Sequence, residues 1–288
     1  MLRRSLLFLP GNNPGMLQSA SILGADGVIL DLEDAVNINE KDAARTLVRE
    51  AMKTMDFSGC ELIVRINPMD SCFGEADIRE IAPLKPDTLL LAKADEEAVK
   101  KASSLLDTIE KEEGIEAGAI KLMALIESAY GVENVYSIVS GSPRVNGVLF
   151  GAEDYTADLG IKRTKLGEEI FYARNKIATT CKAKRISAID TPFTDTDDEE
   201  GLLNDALRGK SLGMTGKAAI NPRQIEIIHE SYAPSKEEVN YALRVLRAVE
   251  KAEAEGLGVF SLDGKMVDAP IIARAQNTLN LARILGLV

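Results

Sequence analysis

Glu127 and Asp154 stand 27 positions apart, each just after a short apolar run. If those runs are neighbouring strands, the two carboxylates sit at adjacent strand ends about 5 Å apart. Carboxylates that close repel unless a cation lies between them, and hard oxygen ligands with room left for water describe Mg²⁺. The other reading places each acid at the start of the following helix, where negative charge is favoured. Spacing leaves both open. Glu33 and Asp34 come shortly after Val28-Ile29-Leu30 and either contact metal-bound waters or are loop acids beside a helix. Arg65 ends the run Leu62-Ile63-Val64, where an unpaired guanidinium would be costly. It either clamps a substrate carboxylate or forms a structural ion pair with Glu33 or Glu61. Lys93 could bind an anion or serve as a Schiff-base lysine. Asp268, followed by Ala269-Pro270, reads from spacing as the N-cap of a last helix. An arginine with several carboxylates suits metal-assisted chemistry on a small carboxylate.

Composition removes several other chemistries. The chain has one histidine, His229, and three cysteines, Cys60, Cys72 and Cys181, with no CxxC pair. A Cys/His zinc site and a Ser-His-Asp hydrolase are therefore not expected, and these four residues read as packing. A net charge of −11 without a basic cluster disfavours nucleic acid and anionic membranes as partners. No apolar run approaches the roughly 20 residues a membrane span needs. Leu6 to Leu9 is too short for a signal peptide, so a cytoplasmic location is expected.

The elements that must position these groups alternate between β-rich runs and amphipathic helices. Candidate strands are Ser5 to Leu9, Gly27 to Leu32, Glu61 to Ile66, Thr88 to Ala92, Ile120 to Ile126, Val145 to Phe150, Arg185 to Ile189 and Thr215 to Ile220. Helical patterns include Glu40 to Met55, Glu96 to Glu113, Glu168 to Ala183 and Thr196 to Leu212. Eight βα units predict an α/β fold, a (β/α)8 TIM barrel over residues 1–234. Residues 235–288 read as a helix-hairpin-helix extension: a helix Lys236 to Glu255, strands Val259 to Leu262 and Lys265 to Val267 about Asp263-Gly264, and a helix from Pro270. That extension is expected to pack on the barrel or on a neighbouring subunit. Barrel enzymes work at the C-terminal strand ends, and there the acids, Arg65, Asn67, Lys93, Ser128 and Asn221-Pro222 gather. Arg3 and Arg4 fall at the opposite rim, and Pro10-Gly11-Asn12-Asn13 could approach a ligand closely.

These residues sit in segments that resemble the citrate lyase β family, within the wider group of malyl-CoA lyase and 2-keto-3-deoxy acid aldolase barrels. The segments are Arg3 to Gly11, Asp31-Leu32-Glu33-Asp34-Ala35-Val36, Val64-Arg65-Ile66-Asn67, Leu125-Ile126-Glu127-Ser128, Gly151-Ala152-Glu153-Asp154-Tyr155, Asn221 to Ile225 and Gly264 to Asp268. The citrate lyase branch is indicated by Asn221 to Ile225, His229 to Pro234 and Glu255 to Val259. The family's usual Pro-Lys after strand 4 is here Ala92-Lys93. The resemblance implies that Glu127 and Asp154 bind Mg²⁺ and that Arg65 holds the 2-oxoacid carboxylate, helped by the amides of Gly151, Ala152 and Glu153. It further implies that Glu33 and Asp34 support metal waters and Arg65. Asp268 becomes the acid/base group in a neighbouring subunit's site, which implies a homo-oligomer. The implied activity is cleavage of a citryl thioester, carried on an acyl-carrier protein or CoA, to oxaloacetate and an acetyl thioester. An α transferase subunit and an acyl-carrier subunit are the implied partners. The alternative is a stand-alone lyase or synthase acting on malyl- or citramalyl-type CoA thioesters.

Overall fold

A computed structural model describes residues 2–254 and 260–288. The chain divides into two compact units, Met1–Ser231 and Tyr232–Val288, the division falling three residues before Pro234, where the sequence pattern breaks. In the first unit the strands β1 Ser5–Pro10, β2 Gly27–Asp31, β3 Glu61–Ile66, β4 Thr88–Leu91, β5 Lys121–Ile126, β6 Val145–Phe150, β7 Ser187–Asp190 and β8 Gly216–Ala219 close a barrel in sequence order. Every pairing is parallel, including that of β1 with β8. Parallel strands covered by helices bury both faces, and β2 and β3 are buried at every position.

Alternate residues of these strands point into the barrel. Leu6, Ile29, Ile63, Leu90, Met123, Leu125, Leu149, Ile189 and Ala218 form one buried cluster there. Two residues onward on the same faces come Asp31 after Ile29, Arg65 after Ile63 and Glu127 after Leu125. Period 2 thus stacks a polar layer directly on the apolar plug. Two residues backward come Glu61, Thr88 and Ser187, which form a second polar layer with Arg3 at the other end.

Several boundaries differ from the sequence reading for visible reasons. Arg185 does not begin strand 7; it ends the helix Phe171–Lys184 in a left-handed conformation at φ 58°. The helix expected from Thr196 starts at Glu199, because the Asp198 side chain accepts the Gly201 N–H and caps it. In the second unit the helices Lys236–Ala254 and Ala269–Ile284 pack around Val245, Val267, Leu279 and Ala282. Between them β9 Phe260–Leu262 and β10 Lys265–Val267 pair antiparallel. Glu255 to Val259, which the sequence reading used for the family branch and for the start of the hairpin, lie outside the described residues. Among the described residues no helix is long and apolar enough to cross a membrane.

Candidate active site

Arg65 is 8% exposed, and its charge is held by acids on three sides. Its Nε donates to Asp31 Oδ1 at 2.6 Å, and its Nη2 donates to Asp31 Oδ2. Nη1 lies 3.0 Å from Glu33 Oε2 and 3.7 Å from Asp34 Oδ2. The guanidinium also stacks 5.1 Å above the Phe8 ring, a placement that favours a cation. Burial works against the charge, but hydrogen bonds and attraction from Asp31, then Glu33 and Asp34, push the Arg65 pKa upward. The ion pair with Glu33 envisaged from sequence is present, whereas Glu61, four positions earlier, pairs instead with Arg3 at 2.6 Å.

Glu127 faces the same space from β5. It is 5% exposed, and its Oε1 accepts the Lys93 N–H at 2.7 Å. Lys93 itself sits in the left-handed region, at φ 48°. Burial pushes the Glu127 pKa up to about 8, and the Asp154 carboxylate, within hydrogen-bonding reach, and the charge of Glu33 add to the rise. Glu33 is pushed up to about 7, first by burial and then by Asp34. Asp154 lies exposed in the first turn of the helix Ala152–Asp158. Gly151 makes the Glu127–Asp154 approach possible, since a Cβ there would lie 2.7 Å from Glu127 Cβ and 3.0 Å from Oε2.

The rim therefore gathers Asp31, Glu33, Asp34, Glu127 and Asp154 around one arginine. A divalent cation between Glu127 and Asp154 would offset the surplus. Among the described residues no group of three His, Cys, Asp or Glu side chains forms a protein-only metal cage. Two carboxylates with water completing the shell is the mode Mg²⁺ uses, so the donor set fits that ion. A cleft of about 520 Å³, lined by Pro68, Met69, Asp70, Ser71, Lys93 and Lys101 among others, opens beside this layer. The more voluminous cleft, about 660 Å³, lies at the opposite rim beside Asp26 and Glu61. Both of those acids are already paired, with Arg4 and Arg3, so we place the chemistry at the unbalanced rim.

A family model described as HpcH/HpaI aldolase/citrate lyase matches residues 4–222. The chain belongs to that family. The match spans all eight barrel strands and Asp31, Glu33, Asp34, Arg65, Glu127 and Asp154. As a member of the HpcH/HpaI aldolase/citrate lyase family, the chain is a carbon–carbon lyase. It is 44% identical over 288 residues to "Citrate lyase subunit beta" of Leuconostoc mesenteroides subsp. cremoris, covering 100% of this chain and 95% of that protein. Among solved structures it resembles the Mycobacterium tuberculosis protein CitE in complex with magnesium, acetoacetate and coenzyme A, with TM-score 0.82, 30% identity and 98% of each chain covered. A citrate lyase β subunit of M. tuberculosis complexed with oxaloacetate and magnesium gives TM-score 0.67 and 28% identity, covering 81% of this chain and 98% of that one.

Several other residues singled out from sequence already have partners in the structure. The Gly151 N–H is taken by Ile126 O at 2.9 Å and the Ala152 N–H by Thr191 Oγ1 at 3.1 Å. Of the three amides expected at a substrate carboxylate, that leaves Glu153. Gly11 does not open space for a ligand, because a Cβ there would lie 2.6 Å from Asp31 O. Asn67 is occupied structurally, donating to Leu32 O at 3.0 Å and Asp77 Oδ2 at 2.7 Å. The Lys93 side chain is 59% exposed and its amine lies 3.9 Å from Glu33 Oε1, unlike the apolar enclosure a Schiff-base lysine uses. Asp268 belongs to the second unit, where it caps Ala269–Ile284 through the Ile271 N–H at 3.2 Å. His229 has polar partners, with Ser5 Oγ at 2.8 Å and Asp26 Oδ1 at 3.5 Å, but both lie at Nε2. A serine-hydrolase relay requires the acid at the other ring nitrogen.

Proposed function

We propose that the chain cleaves a citryl thioester into oxaloacetate and an acetyl thioester, as the β subunit of a citrate lyase. The observation that carries this reading is the buried Glu127 carboxylate facing Asp154 and Glu33, with Glu33 in turn 3.0 Å from the Arg65 guanidinium. In the reaction the substrate hydroxyl gives up its proton to a base and its carbon becomes a ketone as the bond to the thioester's methylene breaks. The electron pair moves into the thioester enolate, whose carbon then takes a proton. Mg²⁺ bound by Glu127 and Asp154 would supply Lewis-acid stabilisation at the substrate's hydroxyl and carboxylate oxygens.

Arg65 orients the substrate carboxylate so that the breaking bond aligns with the thioester π system, and Glu153 N–H adds a donor. Glu33 and Asp34 hold Arg65, and their carboxylates would be acceptors for water on a bound Mg²⁺. Asp268, contributed by a neighbouring copy in a homo-oligomer, handles the proton of the enolate carbon. The physiological thioester is borne by an acyl-carrier subunit, and an α transferase subunit loads it, in the cytoplasm. The test is citryl-CoA cleavage coupled to malate dehydrogenase, with Mg²⁺ and again with EDTA. Mg²⁺-dependent oxaloacetate release is expected. Cleavage of citramalyl- or malyl-CoA with none of citryl-CoA would overturn the substrate assignment.

A further inference from the structure

Asp31 is not a member of the metal pair and carries no assigned role, yet its carboxylate is the most fully engaged at the rim. It is 1% exposed. Its Oδ1 accepts Arg65 Nε at 2.6 Å and Glu33 N at 2.8 Å. Its Oδ2 accepts Arg65 Nη2 and, at 3.1 Å, Ala35 N. One side chain thus ties the guanidinium to the backbone turn that carries Glu33 and Asp34. A guanidinium presents two forks of parallel N–H groups, one at Nε and Nη2 and one at Nη1 and Nη2. Asp31 takes the first, so the second is the fork left to meet a carboxylate two-pronged. Glu33 lies beside that second fork, at 3.0 Å from Nη1.

We propose that Asp31 is the positioning residue of this site: by holding the Nε/Nη2 edge of Arg65 together with the Glu33–Ala35 turn, it aims the Nη1/Nη2 edge at the substrate carboxylate. Without it, Arg65 turns its freed edge to Glu33 and Asp34, and the turn loses both amide anchors. This inference rests on the reading of Arg65 as the carboxylate clamp. It deepens that reading by naming what sets the clamp's direction.

Asp31→Asn keeps the volume but places an NH₂ where donors now arrive. The probes are oxaloacetate and Mg²⁺, titrated separately by calorimetry into the full chain, with citryl-CoA turnover alongside. In the variant, oxaloacetate binding in the presence of Mg²⁺ should weaken by about 30-fold and Mg²⁺ affinity by several-fold less, since Glu127 and Asp154 keep their own supports and only the Glu33–Ala35 turn beside them loosens. In an Arg65→Lys background the same Asp31→Asn change should cost almost nothing more, because its target is gone. Unchanged oxaloacetate binding, equal losses in both backgrounds, or parallel losses of oxaloacetate and Mg²⁺ would each overturn the inference. If Asp31→Asn lacks a cooperative unfolding transition, Asp31→Glu, which keeps the charge but shifts it by one methylene, is judged on the same outcomes. A wild-type chain that binds no oxaloacetate with Mg²⁺ present would sink the substrate assignment and this inference together, whereas normal wild-type binding with an unaffected variant would sink Asp31 alone.

Discussion

The barrel carries a polar layer at each end of the same apolar plug, and the two layers are solved differently. At the N-terminal end Arg3 gives Nε and Nη2 to Glu61, both at 2.6 Å, and Thr88 adds its hydroxyl to Glu61 at 2.7 Å. One cation meets one carboxylate and polar neutral groups surround them, as a buried pair requires. At the C-terminal end Arg65 faces Asp31, Glu33 and Asp34, with Glu127 and Asp154 beyond. The same strands thus hold one layer that is electrically complete and another with an acidic surplus. Protons or a metal ion would offset that surplus, and burial with neighbouring acids pushes the Glu127 and Glu33 pKa values upward.

The comparison breaks most directly at Glu127. Glu127→Ala should lower Mg²⁺-dependent citryl-CoA cleavage by at least about a thousandfold, as loss of an essential metal ligand does, while circular dichroism stays native. Retained activity would mean the surplus is not the metal site. Gly151→Ala leaves every functional group in place but drives a methyl into Glu127; we expect about a hundredfold loss in kcat/KM, the scale of an ångström-level misplacement. A normal rate would show that the two acids need not be so close.

Protons offer a gentler probe. Glu127 titrates near 8 and Glu33 near 7 without metal, both above the ordinary carboxylate range. For an acid with a raised folded-state pKa, stability is fully present below the unfolded value and is lost as pH rises through the folded one. The metal-free chain should therefore lose stability between about pH 5 and 8. Mg²⁺, which needs the charged carboxylates, should raise the melting temperature more at pH 8 than at pH 6. Equal shifts at both would contradict the surplus. The smallest effect on activity belongs to the other layer. Arg3→Met should cost about 3–5 kcal/mol of stability by stranding Glu61, most of it restored by adding Glu61→Leu. In that double variant kcat/KM should stay within about twofold of wild type, read in the same coupled assay.

Much of this architecture was legible because period 2 runs through β2, β3 and β5 without interruption. Ile29, Ile63 and Leu125 predict the inward direction of Asp31, Arg65 and Glu127 once the strands are drawn. Asp31 was passed over because an acid inside a strand has no spacing partner in the sequence; its role comes from Arg65, on the neighbouring strand, and from amides two and four residues ahead. The engagement of the Ala152 amide is hidden from sequence for a similar reason. Its acceptor, Thr191, lies just past the end of β7, and no local pattern ties the two together. Asp268 shows the opposite case, since Asp-Ala-Pro spells a cap and the helix does begin there.

The closure of the ring also bears on how the protein is made. β1 pairs on one side with β8, where Lys217 N donates to Arg4 O at 2.8 Å, so the barrel's first strand waits for its eighth. Until β8 leaves the ribosome, after roughly three-quarters of the chain, β1 and the newest strand both present unpaired edges. The barrel's seam is thus a timing constraint on biosynthesis, and the interval before it closes is when a nascent chain most needs shelter from its neighbours.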